Sequence, residues 1–205
     1  MRNRGKFIKP GLTFLVTFSI TITLNQCQKN TSDNNIEKSQ DTLFELLPQE
    51  KTGIKFYNSI VEGLNTNVLM YEYFYNGAGV AAGDLNNDGL EDLVFTSNLE
   101  NNVLYLNMGD FRFMEVGAIA GITGRPGPWK TGVAMADVNG DGLLDIYICY
   151  SGKMAPDRLV NQLFIHQGID QNGIPRFADL TREYGLYFPT NTTHAVFFDF
   201  DNDGD

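Results

Sequence analysis

The stretch Asp84-Leu85-Asn86-Asn87-Asp88-Gly89-Leu90-Glu91-Asp92 places oxygen-bearing side chains at its first, third and fifth positions, glycine at the sixth and a carboxylate at the ninth. It recurs as Asp137-Val138-Asn139-Gly140-Asp141-Gly142-Leu143-Leu144-Asp145 and begins a third time as Asp199-Phe200-Asp201-Asn202-Asp203-Gly204-Asp205. Alternate residues of a tight loop turn their side chains toward one centre, and Ca²⁺ takes six to eight hard oxygens at about 2.3–2.6 Å. Glycine at the sixth position lets the backbone reverse at positive φ. The seventh residue offers only its carbonyl, so Leu90 and Leu143 can be apolar without breaking the shell. The expected calcium ligands are therefore Asp84, Asn86, Asp88, Leu90 and Asp92, then Asp137, Asn139, Asp141, Leu143 and Asp145, with Asp199, Asp201 and Asp203 opening a third set.

An EF-hand shares the first half of this pattern but takes its bidentate acid at position twelve, between helices. Here position twelve is Phe95 or Ile148, neither of which can bind a metal. The runs Leu93-Val94-Phe95-Thr96 and Ile146-Tyr147-Ile148-Cys149 are those of buried strands. Asp-Gly and Asn-Gly are also common hairpin turns. A plain turn, however, needs no carboxylates at positions one, five and nine together, and each close like-charged pair costs about 3–4 kcal/mol at an effective dielectric near 20. The repetition favours a metal loop over a plain turn.

Residues 1–26 have the form of an export signal. Arg2, Arg4, Lys6 and Lys9 precede an apolar stretch, residues 11–24, that is too short to span a bilayer as a helix. Cys27 stands where bacterial lipoproteins carry the cysteine lipidated after cleavage. Leu24 resembles the lipobox, while Asn25 and Gln26 depart from its small residues. Without the signal the chain holds 11 basic residues (15 less these four) against 25 acidic, a net charge of −14. Such acidity argues against nucleic acid or anionic headgroups as partners, which want a basic face; membrane attachment is expected through the lipid alone. Residues 27–42, polar and without aromatics, are expected to form a flexible tether. An exported, outer-membrane lipoprotein is the expected location.

Order is expected from residue 43. Residues 43–78 form a lead-in, in which residues 54–58 alternate like a strand that could close a ring. Repeat 1 is placed at 79–128, repeat 2 at 129–190 and a truncated repeat 3 at 191–205. Each loop follows a short apolar run, residues 79–83, 132–136 and 194–198, expected as a buried entry strand. Beyond the first loop come Asn102-Val103-Leu104-Tyr105-Leu106 and Phe111-Arg112-Phe113, echoed by Asn161-Gln162-Leu163-Phe164-Ile165 and Pro175-Arg176-Phe177. The loops start at 84, 137 and 199, 53 and 62 residues apart. Four-stranded units at about this spacing are the sequence sign of a β-propeller. The expected fold is all-β, with propeller blades of four-stranded antiparallel sheets that do not complete a ring within this chain.

Other motifs are weaker. Residues 77–83 imitate a dinucleotide fingerprint, but the acid loop that follows excludes the helix such a site needs. Residues 124–131 nearly match a phosphate loop, except that Trp129 stands where glycine is required; a packing role suits it better. Only His166 and His194 are present, and neither joins a Ser/His/Asp or Cys/His set.

With these residues in view, the chain resembles FG-GAP or VCBS repeat proteins, whose blades are similar to those of the integrin α-subunit propeller with calcium in the hairpin loop. Phe74-Tyr75-Asn76-Gly77-Ala78-Gly79-Val80-Ala81, Leu104-Tyr105-Leu106-Asn107 and Trp129-Lys130-Thr131-Gly132-Val133 resemble the exported ASPIC/UnbV-type proteins of Bacteroidetes, of the cartilage acidic protein kind. That resemblance covers about residues 43–205. It implies further blades and a C-terminal ASPIC/UnbV domain, so that this chain would be an N-terminal part. A fold does not assign a role. Two functions stay open: a calcium-binding envelope module presenting loops to a protein or glycan, and the non-catalytic N-terminal part of an exported, glycan-acting enzyme whose active site lies beyond residue 205.

Overall fold

The computed structural model of the protein describes residues 43–127 and 129–201. The chain divides at residue 45 into two units, and Leu46–Asp205 carries every element below. The signal, the tether, Cys27 and Asp203 lie outside the described residues.

Two four-stranded antiparallel sheets make up the unit. A helical turn, α1 (Gln49–Thr52), precedes β1 (Val80–Gly83), β2 (Asp92–Phe95), β3 (Val103–Asn107) and β4 (Phe113–Glu115), and a second turn, α2 (Gly117–Ala120), links them to the second sheet. That sheet contains β5 (Lys130–Ala136), β6 (Asp145–Tyr150), β7 (Gln162–Ile169) and β8 (Pro175–Asp179). Strand order within each sheet is sequence order, the arrangement of a propeller blade, and the two blades do not close a ring. Gly83 pairs with Asp92 and Ala136 with Asp145, so each acid loop closes a hairpin between the first two strands of its blade.

The apolar core lies between the blades. The alternate residues Val94, Leu104 and Leu106 of the first sheet meet Val133, Ile146, Ile148 and Phe164 of the second, with Val116, Ala120 and Ile122 filling the connection. Strand periodicity sends residues i and i+2 to one face, so Ile146, Ile148 and Tyr150 turn to the first blade while Tyr147 meets Phe197 on the other side. Trp129 is buried against Phe74 and Tyr71, with ring centroids 5.1 and 5.4 Å away, as a packing anchor at the start of the second blade.

Glycine sets how close the blades come. A Cβ on Gly79 would stand 2.8 Å from both the Thr131 carbonyl oxygen and the Val133 nitrogen, and one on Gly132 would stand 2.5 Å from the Thr193 carbonyl oxygen. The innermost segments of successive repeats thus lie backbone against backbone where they begin.

Three expected strands differ. Residues 54–58 carry no ladder. Their polar groups find side-chain partners instead: Lys55 N–H donates to the Tyr105 hydroxyl at 3.0 Å, and Asn58 accepts from Asn98 N–H at 3.0 Å. Phe56 stacks on Phe95 at 4.9 Å, on the face turned away from the second blade. Residues 194–198 are likewise without a ladder, leaving Val196 and Phe198 about three-quarters exposed. The fourth strand of the first blade begins at Phe113 rather than Phe111, because Asp110 and Phe111 both take left-handed φ, +51° and +56°, in a turn in which Met108 N–H donates to the Arg112 carbonyl.

Candidate metal centre

Each acid loop is built by its own carboxylates. Asp84 accepts the backbone N–H of Asp88 on Oδ1 at 3.1 Å and that of Gly89 on Oδ2 at 2.8 Å. Asp88 accepts Leu90 N–H on Oδ1 at 2.9 Å and the Asn86 amide on Oδ2 at 3.0 Å. The second loop repeats this residue for residue. Asp137 accepts Asp141 N–H at 3.1 Å and Gly142 N–H at 2.8 Å, and Asp141 accepts Leu143 N–H at 2.8 Å and the Asn139 amide at 3.0 Å. These bonds impose the turn, and Gly89 and Gly142 adopt it at φ of +86° and +81°. The fourth position is left-handed as well, +55° at Asn87 and +71° at Gly140. Asn and Gly are the residues that tolerate such φ, a signal present in the sequence that the ligand pattern overshadowed.

The ninth-position acids serve differently from the rest. Asp92 is wholly buried, accepts Leu85 N–H on Oδ2 at 3.0 Å and accepts Asn107 N–H from β3 on Oδ1 at 2.8 Å. Asp145 does the same with Val138 N–H at 3.0 Å and His166 N–H from β7 at 2.7 Å. One carboxylate therefore ties the loop, the second strand and the third strand of its blade together. Burial, only partly offset by the Asn107 and Leu85 amides, pushes the Asp92 carboxyl up to about 6, with the Asp88 and Asp84 charges adding to the rise. Asp145 is raised for the same reason, burial first and the Asp141 and Asp137 charges after it. Asp137 is lowered, chiefly by the Gly142 N–H.

His166 joins the two loops. Gly168 N–H donates to its Nδ1 at 2.9 Å, which leaves Nε2–H to donate to the Leu85 carbonyl of the first loop at 2.9 Å. Its own backbone holds Asp145 of the second. The role falls to a backbone amide and a ring packed on Phe177 at 4.8 Å, neither of which has a sequence signature.

Among the described residues no three acidic, His or Cys side chains converge closely enough to hold a metal ion by themselves. The donors nonetheless suit a hard cation. Asn86 Oδ1 is buried with no hydrogen-bond partner, an orphaned acceptor of the kind that a native structure ordinarily satisfies with an ion or a water. Among the described residues no Lys or Arg forms an ion pair with a carboxylate of the first two loops; the pair Arg176 with Asp170, at 2.7 Å, lies elsewhere. Of the third loop, Asp199 and Asp201 are described, and both are exposed.

Comparison with known proteins agrees with this geometry. Residues 84–148, from the first acid loop into β6, match the FG-GAP-like repeat family. The chain is 32% identical to cartilage acidic protein 1 of Xenopus tropicalis over 136 residues, 63% of this chain and 18% of that protein. The human protein of that name is 32% identical over 131 residues, with the same two coverages. The chain thus spans less than a fifth of the length of the curated relatives it matches. Two blades of matching topology, each closed by the same acid hairpin, and the family match across the first loop and into the second blade together establish that this chain carries an FG-GAP-like repeat in incomplete propeller blades.

Proposed function

We propose that the chain is a calcium-binding part of an exported β-propeller interaction module of the cell envelope, one that presents its loops to a protein or glycan partner. The observation that carries this reading is the pair of loops with matching hydrogen bonds, three carboxylates each and, among the described residues, no cationic partner, with Asn86 Oδ1 left orphaned in the first. Asp84, Asn86, Asp88, Asp92 and the Leu90 carbonyl would hold one ion. Asp137, Asn139, Asp141, Asp145 and the Leu143 carbonyl would hold the second, and Asp199, Asp201 and Asp203 would begin a third site. The ion supplies charge neutralisation, relieving repulsion of about 3–4 kcal/mol per close carboxylate pair at an effective dielectric near 20. Asp92 and Asp145 hold the hairpins, the interdigitated core holds the blades, and the surface between them is left for a partner.

Isothermal titration of the full-length protein tests the metal. Tighter binding of Ca²⁺ than of Mg²⁺ is expected, since many oxygens on a loop suit the larger ion and not a strict octahedron; equal or tighter Mg²⁺ binding would sink the proposal. Attachment to the outer membrane through Cys27 belongs to the same reading. Mass spectrometry of the mature N-terminus would show acyl chains on that residue, and a free terminus elsewhere would remove the lipoprotein assignment.

A further inference from the structure

The innermost segments of the repeats also frame a cavity, at the ends of β1 and β5 away from the acid loops. It measures about 300 Å³ and is lined by Tyr71, Tyr73, Asn76, Trp129, Thr193 and His194, together with residues 77–79, Thr131 and Gly132. Gly79 precedes β1 as Gly83 ends it at the first loop, and Gly79 abuts Thr131 while Gly83 abuts Met135. The two strands therefore run side by side, with the cavity at one end and the acid loops at the other. Gly79, Gly132 and His194 occupy the same place in successive repeats, so an imidazole stands at the mouth where the first two repeats keep glycine.

We infer that this cavity is a binding site for a neutral saccharide. In a chain that is 20% charged, no Asp, Glu, Lys or Arg among the described residues lines it, so none of them would compensate an ionic ligand there. Its rings form a corner, Tyr71 and Tyr73 lying 5.7 Å apart at 77°, with Tyr73 half exposed. Among the described residues the side chains of Asn76, Tyr73 and His194 have no hydrogen-bond partner. Open ring faces beside unpaired amide, phenol and imidazole groups match a pyranose, which carries an apolar C–H face and a rim of hydroxyls that both donate and accept. The volume lies at the small end of ligand cavities, which suits one or two sugar rings.

The walls are fixed beforehand. Gly79 N–H donates to Thr96 Oγ1 and Thr96 Oγ1 to the Thr131 carbonyl, both at 2.7 Å, and Thr131 Oγ1 donates to the Thr192 carbonyl at 2.7 Å. Asn98, wholly buried, holds the carbonyls of Gly77 and Lys130 at 2.8 Å each. A site preorganised in this way spends little of its binding energy on ordering.

The inference rests on the interaction-module reading and specifies what the module takes at this place. Its test is ligand-observed NMR and titration of the full-length, calcium-loaded protein with methyl glycosides of neutral hexoses and N-acetylhexosamines. Binding of at least one glycoside in the millimolar range is expected. Loss of one ring contact should weaken it about tenfold in Tyr73→Ala, and His194→Ala should weaken it too. Both residues are exposed, so melting temperature and Ca²⁺ affinity should stay as in the parent. The saccharide site is overturned if no neutral glycoside binds, if binding survives both substitutions, or if a uronic acid or choline is preferred to every neutral sugar. A peptide partner that covers the cavity and binds while no glycoside does would overturn it as well. Glycoside cleavage in the same spectra would instead overturn the interaction-module reading while leaving the site in place.

Discussion

Lys130 opens β5 with its side chain wholly buried and, among the described residues, in no ion pair, the Glu100 charge only partly opposing the effect of burial. Its Nζ reaches the Gly127 carbonyl at 3.2 Å and lies 6.0 Å from the Tyr150 ring, over which the Arg125 guanidinium also sits, at 4.4 Å. Burial, with the Arg125 charge adding to it, lowers the amine from 10.5 to about 8. A lowered lysine means that the folded state gives up its proton first. Between about pH 8 and 10.5 the unfolded chain binds more protons, so stability rises with pH across that window. At about 1.4 kcal/mol per pH unit the full effect is about 3 kcal/mol. Lys130→Met keeps the length and removes the charge. The bond to Gly127 and the ring contact, worth about 1 kcal/mol each or less, are lost. We predict that the variant is more stable than the parent by about 1–2 kcal/mol at pH 7, after those losses are subtracted from the charge penalty. Its advantage should vanish, and slightly reverse, by pH 10.5. Denaturant unfolding of the full-length protein and of the variant at half-unit pH steps measures the difference, in which Tyr147, Tyr150 and every other titrating group cancel. A difference that stays constant from pH 7 to 10.5 would show an ordinary amine and refute the reasoning.

Gly132→Ala should destabilise the protein by about 1–3 kcal/mol in a thermal melt, since the new Cβ meets a backbone carbonyl that cannot swing aside as a side chain could; an unchanged melt would show that the repeats can part there without loss. Asp141→Ala should weaken calcium at the second loop far more than Asn139→Ala, the carboxylate bringing charge where the amide brings only a dipole. Similar losses in titration would mean that geometry outweighs charge. Residues 28–205 expressed alone in millimolar calcium should not give a stable monomer, because strands such as residues 194–198 stay unpaired and repeats need neighbours to bury their faces. A monodisperse species with a sharp melt would count against the propeller assignment.

The acid loops were legible because their cause is local. A carboxylate at position one turns back onto amides four and five residues later, so spacing alone located β1, β2, β5 and β6 around the loops. Residues 54–58 and 194–198 carry equally good strand composition and are not strands. Strand status depends on a ladder partner, and composition cannot say whether one is in reach. Asn107 and His166 carry no sequence sign as partners of Asp92 and Asp145, because they act through backbone N–H groups, which every residue but proline owns. Phe111 belongs to a turn and not to the expected strand, since nothing in a phenylalanine announces left-handed φ; it continues the left-handed run of Gly109 and Asp110.

The ninth-position carboxylates bear on how such a chain comes off the ribosome. Asp92 finds both of its amides, Leu85 and Asn107, inside its own blade, and so does Asp145 with Val138 and His166. A blade can therefore set its polar framework as soon as its third strand has emerged, before the next blade exists. What it lacks in that interval is cover for Val94, Leu104 and Leu106. At any moment of synthesis a single apolar face, that of the newest blade, stands open to other chains or chaperones, and the hazard moves along the growing polypeptide one unit at a time.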